Sequence, residues 1–260
     1  MRIDALDKAC GRERYAVDET PPDCLWAGAL RAGIAHGRIA GLDVAPARQT
    51  PGVVAALTRA DVPGTNRQGI VRKDQPVLCG ERVRHCGDPV ALVVAESREA
   101  LAEGLSRIRL SLEPLPGVFD PLQALSPDSP LVHPGREEGN LLARGLMEKG
   151  DAPAALAQCA VVVDGRFHTP MQEHVFLEPP GGLARLAPSG VLDMVASTQA
   201  PFRDRFEIGQ ALGLDPLRIR VRAPYLGGGF GGKDGATVQC LLALAALRVP
   251  GRWVKMVWSR

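Results

Sequence analysis

The stretch Gly227-Gly228-Gly229-Phe230-Gly231-Gly232-Lys233 decides the fold, because its glycines form a loop around one phenylalanine between two regular elements. Before it, residues 218–222 have the alternating sequence RIRVR, which predicts a strand. After it, residues 238–247 are largely apolar and predict a helix. Glycine lets backbone N–H groups approach a ligand closely, and a helix N-terminus carries partial positive charge. This order of elements therefore predicts a site for an anion or a polar cofactor.

Three generic functions compete for this loop. The spacing from Gly227 to Lys233 fits a phosphate-binding loop, but Asp234 follows, where that loop needs a Ser or Thr for magnesium. Gly227, Gly229 and Gly232 fit a dinucleotide-binding loop, but no Asp or Glu follows Asp234 to bind a ribose. The third possibility is a structural turn, although each glycine costs roughly 0.5–1 kcal/mol of backbone entropy. We expect neither ATP nor NAD to bind.

A second motif, Ser197-Thr198-Gln199-Ala200-Pro201, lies between an apolar run and a predicted helix at 202–212. The pair STQ-x-P and GGGFGGK resembles the molybdopterin-binding (large) subunit of the xanthine dehydrogenase and aldehyde oxidase family, the molybdenum hydroxylases. The first half of the chain resembles the hammerhead domain of the same family, for example in VRHCGDPVA at 83–91 and EPLP at 113–116. The resemblance extends over nearly the whole chain.

The resemblance implies an α+β fold. It places a hammerhead-type α/β domain at residues 1–130 and the first, incomplete part of a molybdopterin-binding domain at 131–260, with a proline-rich linker between them. Residue patterns in the first half predict an irregular leader at 2–15, strands at 24–30, 37–44, 53–58, 90–95 and 109–113, and a helix at 99–108 that Ser97 caps. Patterns in the second half predict a helix at 151–158, strands at 160–167, 175–186 (interrupted), 191–196 and 252–258, and the elements around the glycine loop.

The same resemblance implies site residues. Gln199 has an amide that both donates and accepts, and the matching residue contacts the molybdenum centre; a helix cap is the alternative. Gly229, Phe230 and Gly231 match the cofactor-binding loop, where Phe230 can close over the cofactor, form a hydrophobic plug, or do both. Asp234 matches a substrate-binding glutamate but is one methylene shorter, which disfavours purines. The alternative is that Asp234 has no role in substrate binding. The helix macrodipole stabilises an acidic side chain at a predicted helix start, which is enough to explain its presence.

The implied activity is an oxidoreductase that hydroxylates a heterocycle or an aldehyde with oxygen from water. Its cofactor is molybdenum–molybdopterin, in which pterin sulfurs hold the metal, so no protein metal ligand is predicted. The other cofactor-binding segments of the family have no match here, so the cofactor site is expected to be incomplete in this chain. Iron–sulfur and FAD groups are expected on partner subunits, and the substrate is a small molecule. The alternative is a noncatalytic binding or assembly module that retains the fold.

The general-base glutamate of the family has no match here, so no catalytic residue is assigned. Glu178, in LEPP at 177–180, resembles a different segment of the family. The chain resembles the N-terminal portion of a large subunit, either truncated or one piece of a split one, and we expect it to be inactive alone. We also expect the last strand to leave an open edge near Trp253, Met256 and Trp258, so that the chain self-associates or needs a complementary polypeptide.

Charge, apolar runs and cysteine spacing indicate which partners and which cell compartment to expect. The chain has 31 basic and 29 acidic residues and a net charge of +2, which gives no reason to expect nucleic acid or an anionic membrane as a partner. No apolar run is long enough to span a membrane, and no secretion signal is apparent. The six cysteines match no zinc or iron–sulfur spacing. They are predicted to be reduced, mostly buried thiols of a cytoplasmic protein.

Overall fold

The computed structural model describes residues 3–259. These residues form two compact units, one made of residues 3–117 with 174–259 and the other of residues 118–173. The first unit contains all the strands, which are β1 (Leu25–Arg31), β2 (Gly37–Asp43), β3 (Val53–Leu57), β4 (Arg67–Gln68), β5 (Gln75–Pro76), β6 (Arg82–Val83), β7 (Pro89–Ala95), β8 (Arg109–Pro114), β9 (Gly181–Leu186), β10 (Leu192–Ala196), β11 (Ile219–Arg222) and β12 (Val254–Val257). The helices are α1 (Ala5–Ala9), α2 (Ala45–Arg48), α3 (Arg98–Ser106), α4 (Pro121–Ala124), α5 (Ala152–Ala157), α6 (Pro201–Leu212) and α7 (Gln239–Arg248), of which α4 and α5 belong to the second unit.

One seven-stranded sheet organises the larger unit, in the order β11-β10-β9-β12-β1-β7-β3. Every residue of β7 is buried, as its continuous apolar sequence predicts. The first eight residues of α7 are also buried, and this helix packs on β9 and β12. The main core lies at this contact, and it positions the ends of β10 and β11 from which the glycine-loop region begins.

This sheet takes strands from both of the domains predicted from the sequence. β1, β7 and β3 come from before residue 130, and β9 to β12 come from after it. The predicted division at residues 130 and 131 falls inside the smaller unit, residues 118–173. A second sheet, in the order β6-β2-β8, completes the hammerhead part. The Ser97 side chain accepts the Ala100 N–H at 3.0 Å and caps α3, as predicted.

The prediction of an open edge at the last strand is wrong. β12 lies in the middle of the large sheet, parallel to β1 on one side and antiparallel to β9 on the other. Met256 is buried in the core, and Trp258 is half-buried beneath the Arg31 guanidinium, 4.5 Å from its ring centroid. The strand-edge argument for self-association therefore fails, because both sides of the strand are already hydrogen-bonded.

Three predictions of local structure also need correction. Residues 160–167 form no strand, and the side chains of Val161, Val163 and Phe167 are exposed. A strand needs a hydrogen-bonded neighbour, and the described part of the unit 118–173 contains no other strand to pair with it. The interrupted strand at 175–186 is regular only from Gly181 onward. The leader at 2–15 contains the short helix α1, although residue 2 is outside the described range.

The prediction that the thiols are mostly buried holds for only half of them. Cys24, Cys79 and Cys240 are buried, whereas Cys10, Cys86 and Cys159 are exposed, and all six are free thiols. Within residues 3–259, no helix combines the length and apolar character that a membrane crossing requires.

Burial predicts selective thiol reactivity. Burial raises the pKa of the Cys79 thiol to about 12 and also raises that of Cys24, so the nucleophilic thiolate is scarce at both. We expect native protein at pH 7.5 to be alkylated at Cys10, Cys86 and Cys159 and at the other three only after unfolding. Peptide mass spectrometry after brief iodoacetamide treatment measures this, and modification of Cys240 in the folded protein would contradict it.

Candidate cofactor site

The two sequence motifs meet where two parallel strands end. β10 ends at Ala196 and is followed by Ser197, Thr198 and Gln199, and its neighbour β11 ends at Arg222 before the glycine loop. The Gln199 N–H donates to the Lys233 carbonyl at 3.0 Å. Carboxyl ends of adjacent parallel strands present their loops at the same edge of a sheet, which is where α/β proteins commonly bind ligands. Residues distant in the sequence therefore form one site.

The Gln199 side chain is bound to the glycine loop and does not cap a helix. Its Oε1 atom accepts the Gly231 N–H at 3.0 Å and the Lys233 N–H at 3.3 Å. The N-cap of α6 is Ala200, and no side chain caps that helix. Within residues 3–259, the Gln199 Nε2 atom has no hydrogen-bond partner, and the residue is exposed. The amide is thus oriented by the loop through its oxygen and offers its nitrogen as a donor.

The loop also offers backbone donors. In the described part of the chain, the N–H groups of Gly228, Gly229 and Phe230 have no hydrogen-bond partner. Gly228 has φ of 99° and Phe230 has φ of 51°, both in the left-handed region, so the backbone turns sharply here. The side chain of Phe230 is 74% exposed, so it is not packed into a core by the described residues. Gly231, with φ of 91°, completes the turn and points its N–H at Gln199.

Gly229 allows the loop and the glutamine to approach closely. A Cβ atom at this position would lie 2.5 Å from Gln199 Oε1 and 2.6 Å from its Cδ atom. Contacts this short do not occur between real side chains, so only glycine fits while the glutamine stays in place.

Asp234 does not lie at a helix start as predicted. The helix α7 begins only at Gln239, so the macrodipole argument does not apply to this carboxylate. Asp234 instead pairs with Arg203 on α6, with Nη1 and Oδ2 2.8 Å apart. Both side chains are partly exposed, so the carboxylate lies beside the loop with one cation already bound to it.

A buried ion pair that the sequence does not predict lies next to the loop. Lys233 is fully buried, and its Nζ atom lies 3.2 Å from Glu178 Oε2. Burial lowers the pKa of Lys233, and the Glu178 carboxylate opposes that shift. The sequence shows a glutamate next to two prolines and a lysine at the end of a glycine loop. Because the two residues are 55 positions apart, these features do not by themselves indicate a pair.

A second buried acid lies on α6 near the same site. Asp204 is fully buried, and its Oδ2 atom accepts Gln239 Nε2 at 3.1 Å. Burial raises the pKa of Asp204 to about 6, although hydrogen bonds to Thr198 and Gln239 act in the opposite direction. Asp204 binds its proton more tightly in the folded protein than in the unfolded chain. The free energy of unfolding therefore falls as this carboxyl ionises.

This carboxyl predicts a pH dependence. Relative to Asp204→Asn, the wild-type free energy of unfolding should rise on the order of 2 kcal/mol as the pH falls from 7 to 4. Most of the change should lie between about pH 6, the folded value, and the ordinary value near 4. Urea titrations at several pH values measure the difference. The exposed control Asp164→Asn should track the wild type, and a wild-type advantage that does not change with pH would contradict the prediction.

The combined arrangement suits a ligand rich in acceptor oxygens. Three backbone N–H groups and one amide nitrogen are free to donate, and the loop that carries them is held by Gln199 Oε1. In the part of the chain that the structure covers, no three His, Cys, Asp or Glu side chains are grouped so as to hold a metal ion. The donors fit an oxo or phosphate-bearing cofactor group at the same edge.

Comparison with known protein families gives two matches. The family described as molybdopterin cofactor-binding domain matches residues 132–260. The family described as aldehyde oxidase and xanthine dehydrogenase, a/b hammerhead domain, matches residues 10–116. The predicted succession of a hammerhead domain and a molybdopterin-binding domain is therefore confirmed.

Individual relatives agree with these matches. The chain is 38% identical over its whole length to the nicotinate dehydrogenase large molybdopterin subunit of Eubacterium barkeri, of which it spans 60%. It is 35% identical to a probable xanthine dehydrogenase subunit of Bacillus subtilis, of which it spans 34%. Among solved structures, the aldehyde oxidoreductase of Desulfovibrio gigas aligns with a TM-score of 0.90 at 28% identity. That alignment covers 99% of this chain and 30% of the other. The chain belongs to the aldehyde oxidase and xanthine dehydrogenase family of molybdopterin-binding large subunits.

Proposed function

We propose that this chain binds a molybdenum–molybdopterin cofactor through Gln199, Gly229, Phe230 and Gly231, as part of an oxidoreductase. The observation that carries the proposal is the set of free donors on a loop that Gln199 Oε1 holds in place. When bound, the cofactor would supply the oxidation of an aldehyde or heterocycle with oxygen from water. The protein residues contribute hydrogen bonds and orientation.

The proposed residues divide into donors and a residue that holds the loop. Gln199 Nε2 and the N–H groups of Gly229 and Phe230 would donate to cofactor oxygens, and Gly231 holds the loop through its N–H on Gln199 Oε1. Because these donors belong to a bound loop, they need little rearrangement when a negative charge arrives. Asp234 lies on the substrate side of the loop in this proposal, and Arg203 holds its carboxylate. Because Asp234 is one methylene shorter than the matching glutamate, we propose that the substrate is not a purine.

The same family membership supports proposals about partners. The nicotinate dehydrogenase relative is named as a large molybdopterin subunit, which implies further subunits in that enzyme. We propose that iron–sulfur and FAD subunits accept electrons from the complex that contains this chain. We further propose that it works with the remaining segments of a large subunit, since it spans 60% or less of these relatives.

Cofactor content tests the proposal. The chain, produced in a host that makes molybdopterin, should copurify with molybdenum and with pterin, measured by mass spectrometry and by fluorescence of the oxidised pterin. Gln199→Ala removes the acceptor of two loop hydrogen bonds and the free donor, so both contents should fall about tenfold or more. The exposed control Gln210→Ala, on α6, should match the wild type.

The outcomes separate the two functions considered. Equal pterin in the wild type and in Gln199→Ala would contradict the assigned site. Bound cofactor without dye reduction by aldehydes or heterocycles, even with the remaining large-subunit segments and the partner subunits added, would favour a noncatalytic binding or assembly module.

A further inference from the structure

Both ends of the glycine loop are attached to one buried carboxylate oxygen. Glu178 Oε2 accepts the N–H of Gly227 at 2.8 Å, where the loop begins. The same atom lies 3.2 Å from Lys233 Nζ, where the loop ends. It also accepts the Ser197 hydroxyl at 2.9 Å, from the segment that presents Gln199. One atom thus joins the three backbone segments that build the candidate cofactor site.

Lys233 closes the connection from the other side. Its Nζ atom donates to the Glu178 carbonyl at 2.6 Å and lies 4.6 Å from the ring centroid of Phe176. Its backbone N–H and carbonyl both bond to Gln199. The lysine is fully buried, and the glutamate is nearly so. Removing either charge would leave the other uncompensated in the interior.

The loop passes so close to Glu178 that no side chain fits at Gly227. A Cβ atom at Gly227 would lie 2.4 Å from the Cβ atom of Glu178. A buried ion pair gives little net stability compared with apolar side chains of similar size. Its contribution here is to position the backbone, because each contact of Glu178 Oε2 holds a different chain segment in place.

We propose that Glu178 and Lys233 are positioning residues that set the conformation of residues 227–233 for cofactor binding. Neither residue touches the cofactor in this proposal; both act through Gly227, Ser197 and Gln199. The cofactor-binding role of the loop rests on the proposed function. The dependence of the loop conformation on the Glu178–Lys233 ion pair does not.

Hydrogen–deuterium exchange tests this dependence in protein without cofactor. In Glu178→Gln, exchange of the hydrogen-bonded loop amides of Gly227, Gly231, Gly232 and Lys233, normalised to that of the core strand β7, should be at least about tenfold faster than in the wild type. The matched control is Lys255→Met. Lys255 is another buried lysine, and it holds the Val17 and Glu19 carbonyls and the Thr20 hydroxyl instead. The control variant should lose stability without a selective change in the loop.

Pterin content is the second readout. It should fall about tenfold in Glu178→Gln and stay near the wild-type value in the folded fraction of Lys255→Met. Unchanged loop exchange in Glu178→Gln would overturn the positioning inference whatever the cofactor content. A wild type without pterin, combined with faster loop exchange in the variant, would refute only the proposed function.

A variant that fails to fold still leaves a test. Ser197→Ala removes one hydrogen bond to the same oxygen and keeps the ion pair. It should increase exchange of the same four loop amides selectively by a smaller factor, and exchange equal to the wild type at all four would again overturn the inference.

Discussion

Replacing Gly229 by alanine should lower the molybdopterin content of the purified protein about tenfold or more. The new methyl group would lie 2.5 Å from Gln199 Oε1, so the loop or the glutamine must move. The glutamine cannot move without giving up its bonds to the Gly231 and Lys233 N–H groups. Two hydrogen bonds are worth about 1–3 kcal/mol together, and about 1.4 kcal/mol corresponds to a tenfold change in affinity.

The control for this variant is Gly41→Ala in β2. There a Cβ atom would meet only the Cβ atom of Ser111, at an ordinary distance of 3.8 Å. Fluorescence of the oxidised pterin and molybdenum analysis should give the wild-type content for this control. If Gly229→Ala retains as much pterin as Gly41→Ala, the close contact between loop and glutamine is not needed for binding.

Ending the chain at Gly251, before β12, should abolish cooperative unfolding. β12 joins β9 to β1, so its loss would divide the large sheet into β11-β10-β9 and β1-β7-β3. Val254 and Met256 are buried in the main core, and each such side chain contributes about 1.5–3 kcal/mol. The loss, added to the unpaired backbone groups of two strands, approaches the whole stability of a typical domain, about 5–15 kcal/mol.

Circular dichroism during heating measures this result. The shortened chain should show no sharp transition and should bind a hydrophobic dye at room temperature. A chain ending at Trp258, which keeps all of β12, serves as the control and should unfold like the full chain. A cooperative transition at the same temperature in both shortened chains would show that the last strand is dispensable.

Local sequence determined much of this fold. The continuous apolar run at 90–95 predicted the fully buried strand β7, and Ser97 predicted the cap of α3. The glycine loop and the STQ motif together identified the family and the residues now proposed to bind its cofactor. These features could be inferred because burial periodicity, helix capping and glycine geometry depend on residues close together in the chain.

Tertiary structure alone decided which segments became neighbours. Residues 160–167 have a strand-like sequence, but the described part of their unit contains no other strand, whereas β12 has a partner strand on each side. The carboxylate of Glu178 met Lys233 from 55 positions away, and Asp234 paired with Arg203 instead of facing a helix start. Sheet order and buried ion pairs depend on contacts between remote residues, and the side-chain pattern of one segment does not specify its partner.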